Sequence, residues 1–111
     1  MDSTRLQKIE RLIQKDLSTI FLVQTKLMPG VMVSVTRVHI SPDLSVAKAY
    51  LSFFPSEKAM ELLTNIQESK KSIRFELGQR AGKQLRVIPE LIFYLDDSLD
   101  YLEKIDQLLQ K

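Results

Sequence analysis

The chain has no cysteine, no tryptophan and a single histidine, His39, among its 111 residues. Without cysteine there can be no disulfide framework, thiolate zinc site or cysteine nucleophile. A lone imidazole in a strand-like segment, with no nucleophile placed beside it, is typical of a structural or solvated residue rather than a catalytic one. A hydrolase that uses His39 with Asp43 is therefore a remote alternative, and we expect no enzymatic activity.

Long apolar runs and glycine-rich loops are also missing. No apolar run approaches the roughly 18–20 residues of a membrane span, and residues 1–5 lack the apolar core of a signal peptide, so we expect a cytoplasmic protein. Gly78 and Gly82 do not form a phosphate-cradling loop with Gly30, and the acidic run at 96–100 lacks the glycine and distal glutamate of a calcium loop. We therefore expect no cofactor and no metal.

Clear periodicity is what the sequence does have. Apolar residues recur at three and four in some segments, as in amphipathic helices, and alternate in others, as in strands. The predicted elements are a helix over 3–23, strands over 31–40 and 45–54, a helix from Ser56, a helical stretch at Ile73–Ala81, a strand over 85–95 and a helix over 99–109. This order predicts one α+β domain over residues 1–111, with helices on one face of a three-stranded sheet. It matches a type II KH domain with a short C-terminal addition.

Local signals refine this prediction. A change of apolar parity in the first strand predicts a β-bulge near Thr36–Arg37, and the polar stretch at 68–72 predicts a kink or break between the two middle helices. Ser56 is the expected N-cap of the first of these helices, and Gly82 is expected to end the second in a left-handed cap. Pro89 places the third strand at a sheet edge or a distortion.

Positive charge is concentrated in one short stretch. The whole chain has a net charge of +2, yet residues 70–86 hold six basic side chains against the single acid Glu76. Such a cluster supplies the fixed charge and hydrogen-bond donors that phosphate binding needs, although a solvated helix face is the alternative. Because Arg86 lies near Glu90, the sequence is equally consistent with a structural ion pair and with an RNA contact at that position. The basic residues are Lys70, Lys71, Arg74, Arg80, Lys83 and Arg86.

Further candidates lie on the predicted strands. Arg37 and Lys48 fall on the hairpin and either extend the basic surface to RNA or serve solubility. Tyr50 and Tyr94 fall on strand faces opposite the main apolar parity. Each ring either stacks on an unpaired base or simply covers the sheet.

Four segments together resemble the ribosome-binding factor A family, and the similarity covers nearly the whole chain. They are Val33–Tyr50 with its Ser-x-Asp-Leu-x-x-Ala-Lys hairpin, Ile73–Gly78, the Leu-Arg-x-x-Pro-Glu-Leu run at 85–91, and the Asp-Ser-Leu run that follows. The resemblance implies a KH-type fold without enzymatic activity. It also implies a factor that binds the immature small (30S) ribosomal subunit near the decoding region and neck, assists late maturation of 16S rRNA, and is released by a GTPase or another remodelling factor.

By this resemblance, the ligand of the basic stretch is ribosomal RNA. Lys70, Lys71 and Arg74 are the leading candidates, because KH proteins hold the nucleic-acid backbone at the junction of these helices, where a helix N-terminus adds partial positive charge. Many family members carry Ala-x-Gly at this kink, whereas this chain has Ser69-Lys70-Lys71. The alternative is a protein-interaction adaptor that uses an exposed strand edge or the helix over 99–109. A monomer is the default expectation.

Overall fold

A computed structural model describes residues 3–26, 28–85 and 87–96 of the chain. Its elements are α1 (Ser3–Thr25), β1 (Met32–Ile40), β2 (Val46–Phe54), a 3₁₀ turn (Ser56–Lys58), α2 (Ala59–Glu68), α3 (Lys70–Ala81) and β3 (Glu90–Leu95). The predicted C-terminal helix over 99–109, most of the acidic run at 96–100, and Arg86 lie outside the described residues. The predicted order of elements is confirmed through β3.

The three strands form one sheet in the order β1-β2-β3, with β1 and β2 antiparallel and β2 and β3 parallel. One face of this sheet carries buried apolar side chains, and the helices pack against that face because their own buried residues join the same core. The core includes Ile13, Leu17 and Phe21 of α1, Val38, Ala49, Leu51, Leu91 and Phe93 of the sheet, and Ile73 and Leu77 of α3. The arrangement is the predicted type II KH-like fold.

The predicted bulge in β1 is confirmed at Thr36. The pairing of β1 with β2 shifts between Val35 and Arg37, so both Val35 and Val38 face the core although they are three residues apart. Helix α1 supports the bulge, since the Gln14 side-chain amide donates a hydrogen bond to the Val35 carbonyl oxygen at 2.8 Å. As a consequence, Arg37 lies opposite Tyr50 on the face of the sheet away from the helices.

Three local predictions are wrong. Ser56 does not cap α2, because a 3₁₀ turn occupies Ser56–Lys58 and the helix begins without a side-chain cap. Gly82 has right-handed backbone angles (φ −60°, ψ −25°), and a Cβ there would lie 2.5 Å from the Gly78 carbonyl oxygen, so glycine serves close packing rather than a left-handed turn. Strand β3 begins only at Glu90, whose N–H bonds to the Ser45 carbonyl at 2.9 Å, because its partner on β2 is Val46, the first residue of that strand.

Candidate nucleic-acid interface

The junction of α2 and α3 is a break of one residue, as the polar stretch predicts. Ser69 separates the helices with φ −94° and ψ 11°. Its N–H bonds to the carbonyls of Asn65 and Ile66, both at 3.1 Å, and its own carbonyl accepts the Ile73 N–H at 3.0 Å. A two-glycine loop would let a ligand approach the backbone closely, but this tight turn has neither glycine nor loop. Contact with an anion here therefore depends on side chains.

Two lysines stand directly at this break. The buried side chains of Ile73 and Leu77 fix the orientation of α3 against the core. Lys71 is exposed and Lys70 is half-buried, and the first turn of α3 contains no acidic side chain. The partial positive charge of the helix N-terminus adds to the positive potential of both ammonium groups. In the part of the chain that the structure describes, neither lysine has a carboxylate within 4 Å, so their charge is available to an external anion.

Arg74 has a structural role that the sequence did not reveal. Its Nε donates a hydrogen bond to the Pro89 carbonyl at 3.2 Å, and its Nη2 donates one to the Ile88 carbonyl at 2.7 Å. These bonds tie α3 to the segment that leads into β3. The side chain is still exposed, and a guanidinium has five N–H donors, so this tether is compatible with an additional phosphate contact.

The other basic residues of α3 lie elsewhere on the molecule. Lys71 and Arg80 are nine positions apart, which places them about 180° apart around the helix axis and about 14 Å apart along it. Lys83 lies in the turn after Ala81. The predicted run of cations is therefore divided between the N-terminal end of α3, with Lys70, Lys71 and Arg74, and its C-terminal end, with Arg80 and Lys83.

An apolar groove adjoins the N-terminal group, and little in the sequence pointed to it. Phe75 and Val87 are each 68% exposed and lie on either side of a shallow depression between α3 and the segment before β3. The only signal in the sequence was Phe75, an aromatic residue between Arg74 and Glu76 in a predicted helix. We call this depression the α3 groove; it is lined by Lys71, Arg74, Phe75, Gly78, Gln79, Val87 and Ile88.

The two hairpin candidates lie on the opposite side of the domain. Arg37 and Lys48 are exposed on the sheet face away from the helices. The Arg37 guanidinium carbon lies 4.4 Å from the centre of the Tyr50 ring, and the Tyr50 and Tyr94 rings stack with centres 5.4 Å apart and planes 24° apart. The seven described residues of the eight predicted to bind RNA thus form three groups, at the two ends of α3 and on the sheet face away from the helices, and the eighth, Arg86, lies outside the described residues.

His39 has a local structural partner. Its Nδ1 lies 3.7 Å from Glu10 Oε2, and that same oxygen accepts the Ile40 N–H at 2.9 Å. Glu10 therefore links α1 to the edge of β1, and this contact places no nucleophile at the imidazole. Among the described residues there is no group of three or more His, Cys, Asp or Glu side chains that could hold a metal, and no helix long and apolar enough to cross a membrane.

The sheet topology and the broken helix define a protein of the type II KH-like class, with a pair of lysines at the helix break. The family model described as Ribosome-binding factor A matches residues 5–109, and the chain belongs to that family. Ribosome-binding factor A from Cytophaga hutchinsonii is 47% identical over 112 residues, which cover 100% of this chain and 84% of the relative.

Solved structures share the fold. The crystal structure of ribosome-binding factor A from Thermus thermophilus aligns with a TM-score of 0.65 at 22% identity, over 81% of this chain and 94% of that one. A homology model of the Thermus thermophilus factor, fitted into a cryo-EM map of a 30S complex, aligns with a TM-score of 0.59 at 20% identity, over 87% and 97%.

Proposed function

We propose that this protein is a non-enzymatic ribosome assembly factor that binds ribosomal RNA of the immature small subunit and assists late maturation of 16S rRNA. Family membership supports the ribosomal setting, as does the 30S complex of the Thermus relative. The observation that carries the proposal is the pair Lys70 and Lys71 at the N-terminal, positive end of α3, with no carboxylate within 4 Å among the described residues. An RNA backbone is the polyanion that this arrangement fits.

Side chains provide the contact. Because the Ser69 break is too tight for close backbone approach, the long lysine side chains reach outward to phosphates. Arg74 keeps the neighbouring segment before β3 in place through its two carbonyl contacts. Because Lys70 and Lys71 lie in a helix rather than in a loop, RNA binding has little backbone to order at this position.

The factor acts through binding energy alone. A ligand shifts a conformational equilibrium only by its differential affinity for the two states, so the protein must bind the immature subunit more tightly than the finished one. Release then follows as the subunit matures, with a GTPase or another remodelling factor displacing the bound monomer where affinity remains. The protein works in the cytoplasm, where ribosomes assemble.

Co-sedimentation with small subunits tests this proposal. Small subunits from cells that lack the protein are mixed with wild type, with the double variant Lys70→Glu and Lys71→Glu, or with a control of equal charge change, Lys8→Glu and Lys15→Glu. Lys8 and Lys15 are exposed on α1, seven residues apart on one face of that helix. We expect wild type and the control to pellet with immature subunits in preference to mature ones, and the Lys70 and Lys71 variant to stay in the supernatant.

Two outcomes would contradict the proposal. If the Lys70 and Lys71 variant pellets as well as wild type, the RNA-binding surface is not at the helix break. If wild-type binding is insensitive to salt and shows no preference for immature subunits over bulk RNA, the protein is an adaptor that binds another protein. Circular dichroism of each variant confirms that the fold is intact.

A further inference from the structure

The open face of the sheet carries a stack of three side chains. Arg37 lies over the Tyr50 ring at 4.4 Å, and Tyr50 stacks on Tyr94 at 5.4 Å, so one side chain from each of the three strands joins the row. The row runs across the sheet and ends at Tyr94, because β3 is an edge strand. Tyr94 remains 40% exposed. An aromatic platform thus ends in a ring that is partly exposed to solvent.

The groups beside this platform are mainly cationic or neutral. Lys48 precedes Tyr50 by two residues on the same face of β2, and its register partner on β1 is His39, whose side chain is 65% exposed. Glu90 is acidic and lies on this face too, but it is four residues before Tyr94, about 13 Å along the strand. The carboxylate of Asp96, two residues beyond Tyr94, accepts a hydrogen bond from the Thr36 hydroxyl.

We propose that this face is a second RNA site, which binds unpaired nucleotides by stacking a base on Tyr94 while Arg37 and Lys48 contact the strand's phosphates. Exposed aromatic rings beside fixed positive charge are the combination that single-stranded nucleic acids recognise, since every base has a π face. Arginine and tyrosine are common in protein interfaces too, but Lys48 argues against a protein partner, because lysine is depleted at the centre of such interfaces. This site goes beyond the proposed function, since it lies on the opposite side of the domain from Lys70 and Lys71.

The two faces would read different features of one RNA. The lysines at the helix break offer charge without stacked rings, which suits the phosphate backbone of a paired RNA helix. The open sheet face binds bases by stacking, which requires nucleotides that are not paired. An assembly intermediate with an unpaired strand beside a formed helix presents both features together. Linking the two contacts in one molecule raises the overall affinity, because the second contact becomes intramolecular.

Fluorescence anisotropy with fluorescein-labelled octauridine tests the second site on the full-length protein. We expect Tyr94→Leu to weaken binding about tenfold, the order of one lost stacking contact, and Tyr94→Phe, which keeps the ring, to stay within about twofold of wild type. The matched control is Phe75→Leu, which removes an exposed ring from the α3 groove and should leave octauridine binding unchanged. A fully paired RNA of the same length should bind Tyr94→Leu and wild type alike.

The proposal is overturned if wild type does not bind octauridine. It is also overturned if Tyr94→Leu binds like wild type, or if Phe75→Leu alone loses binding. The Lys70→Glu and Lys71→Glu variant separates this result from the proposed function: it should lose immature subunits but retain most octauridine binding. Loss of both ligands in that variant would show a single RNA site and refute the second one.

Discussion

Replacing Arg74 tests whether this side chain holds the fold together as well as carrying charge. Arg74→Ala removes two charge-assisted hydrogen bonds, at 3.2 Å to the Pro89 carbonyl and at 2.7 Å to the Ile88 carbonyl. Hydrogen bonds to charged groups contribute about 1.5–3 kcal/mol when well shielded, but this guanidinium is exposed and its bond to the Ile88 carbonyl is open to replacement by water. We therefore expect a loss of about 1 kcal/mol in the free energy of unfolding, or about 4 °C in Tm for a domain of this size.

Arg74→Lys separates geometry from charge. Lysine keeps the positive charge, but a single ammonium on a flexible stem does not reproduce the planar fork that spans two carbonyls. We expect Arg74→Lys to recover less than half of the stability lost in Arg74→Ala, while it retains the binding of immature subunits. Urea unfolding followed by far-UV circular dichroism gives the first quantity, and co-sedimentation gives the second.

A structural role for Arg74 is refuted if Arg74→Ala unfolds at the same urea concentration as wild type, because the two carbonyl contacts would then contribute nothing. The geometric explanation fails if Arg74→Lys is as stable as wild type, since charge alone would then explain the effect. A lysine variant that is destabilised but also loses the subunits would indicate that Arg74 recognises RNA through its own planar geometry.

Three further substitutions test the packing and the hairpin. Ile73→Ala leaves a cavity at a fully buried position and should cost about 2–5 kcal/mol in urea unfolding; a loss below about 1 kcal/mol would mean that α3 is loosely held. Gly82→Ala should destabilise the protein by about 1 kcal/mol or more, because its Cβ would meet the Gly78 carbonyl oxygen at 2.5 Å, and a gain in Tm would contradict the observed packing. Hydrogen bonds from Ser41 and Ser45 lower the pKa of Asp43, so its carboxylate stabilises the hairpin above pH about 4 and loses that effect as the pH falls through the lowered folded pKa. The Tm difference between wild type and Asp43→Asn should therefore shrink on acidification, and a constant difference would show that the charge is irrelevant.

Local sequence patterns were enough to predict the order of the elements, the bulge at Thr36 and the break at Ser69. Each depends on periodicity within one segment, so no knowledge of distant contacts is needed. The predicted start of β3, at residue 85, was wrong because a local pattern does not show where the partner strand begins. Apolar alternation continues from Leu85, but pairing requires a partner strand, and the β2 partner of Glu90 is Val46, the first residue of β2.

The candidate site was only partly accessible from sequence. The Arg74 tether depends on backbone carbonyls 14 and 15 residues away, which no local pattern encodes. The division of the cations was encoded, however. Lys71 and Arg80 are half a helical turn out of phase, and Lys48 lies on the strand face opposite the apolar one. A net charge summed along the chain does not separate these residues, whereas the position of each residue around its helix or strand does.

The salt dependence of binding to immature small subunits tests the central claim most directly. Each phosphate that a lysine neutralises contributes about 0.7–0.9 to the slope of log affinity against log salt. We predict that Lys70→Glu and Lys71→Glu reduces the magnitude of this slope by about 1.5 or more, the sum for two lost phosphate contacts, while Lys8→Glu and Lys15→Glu leaves it unchanged. Equal slopes for wild type and the Lys70 and Lys71 variant would contradict the claim that these two lysines bind the RNA backbone.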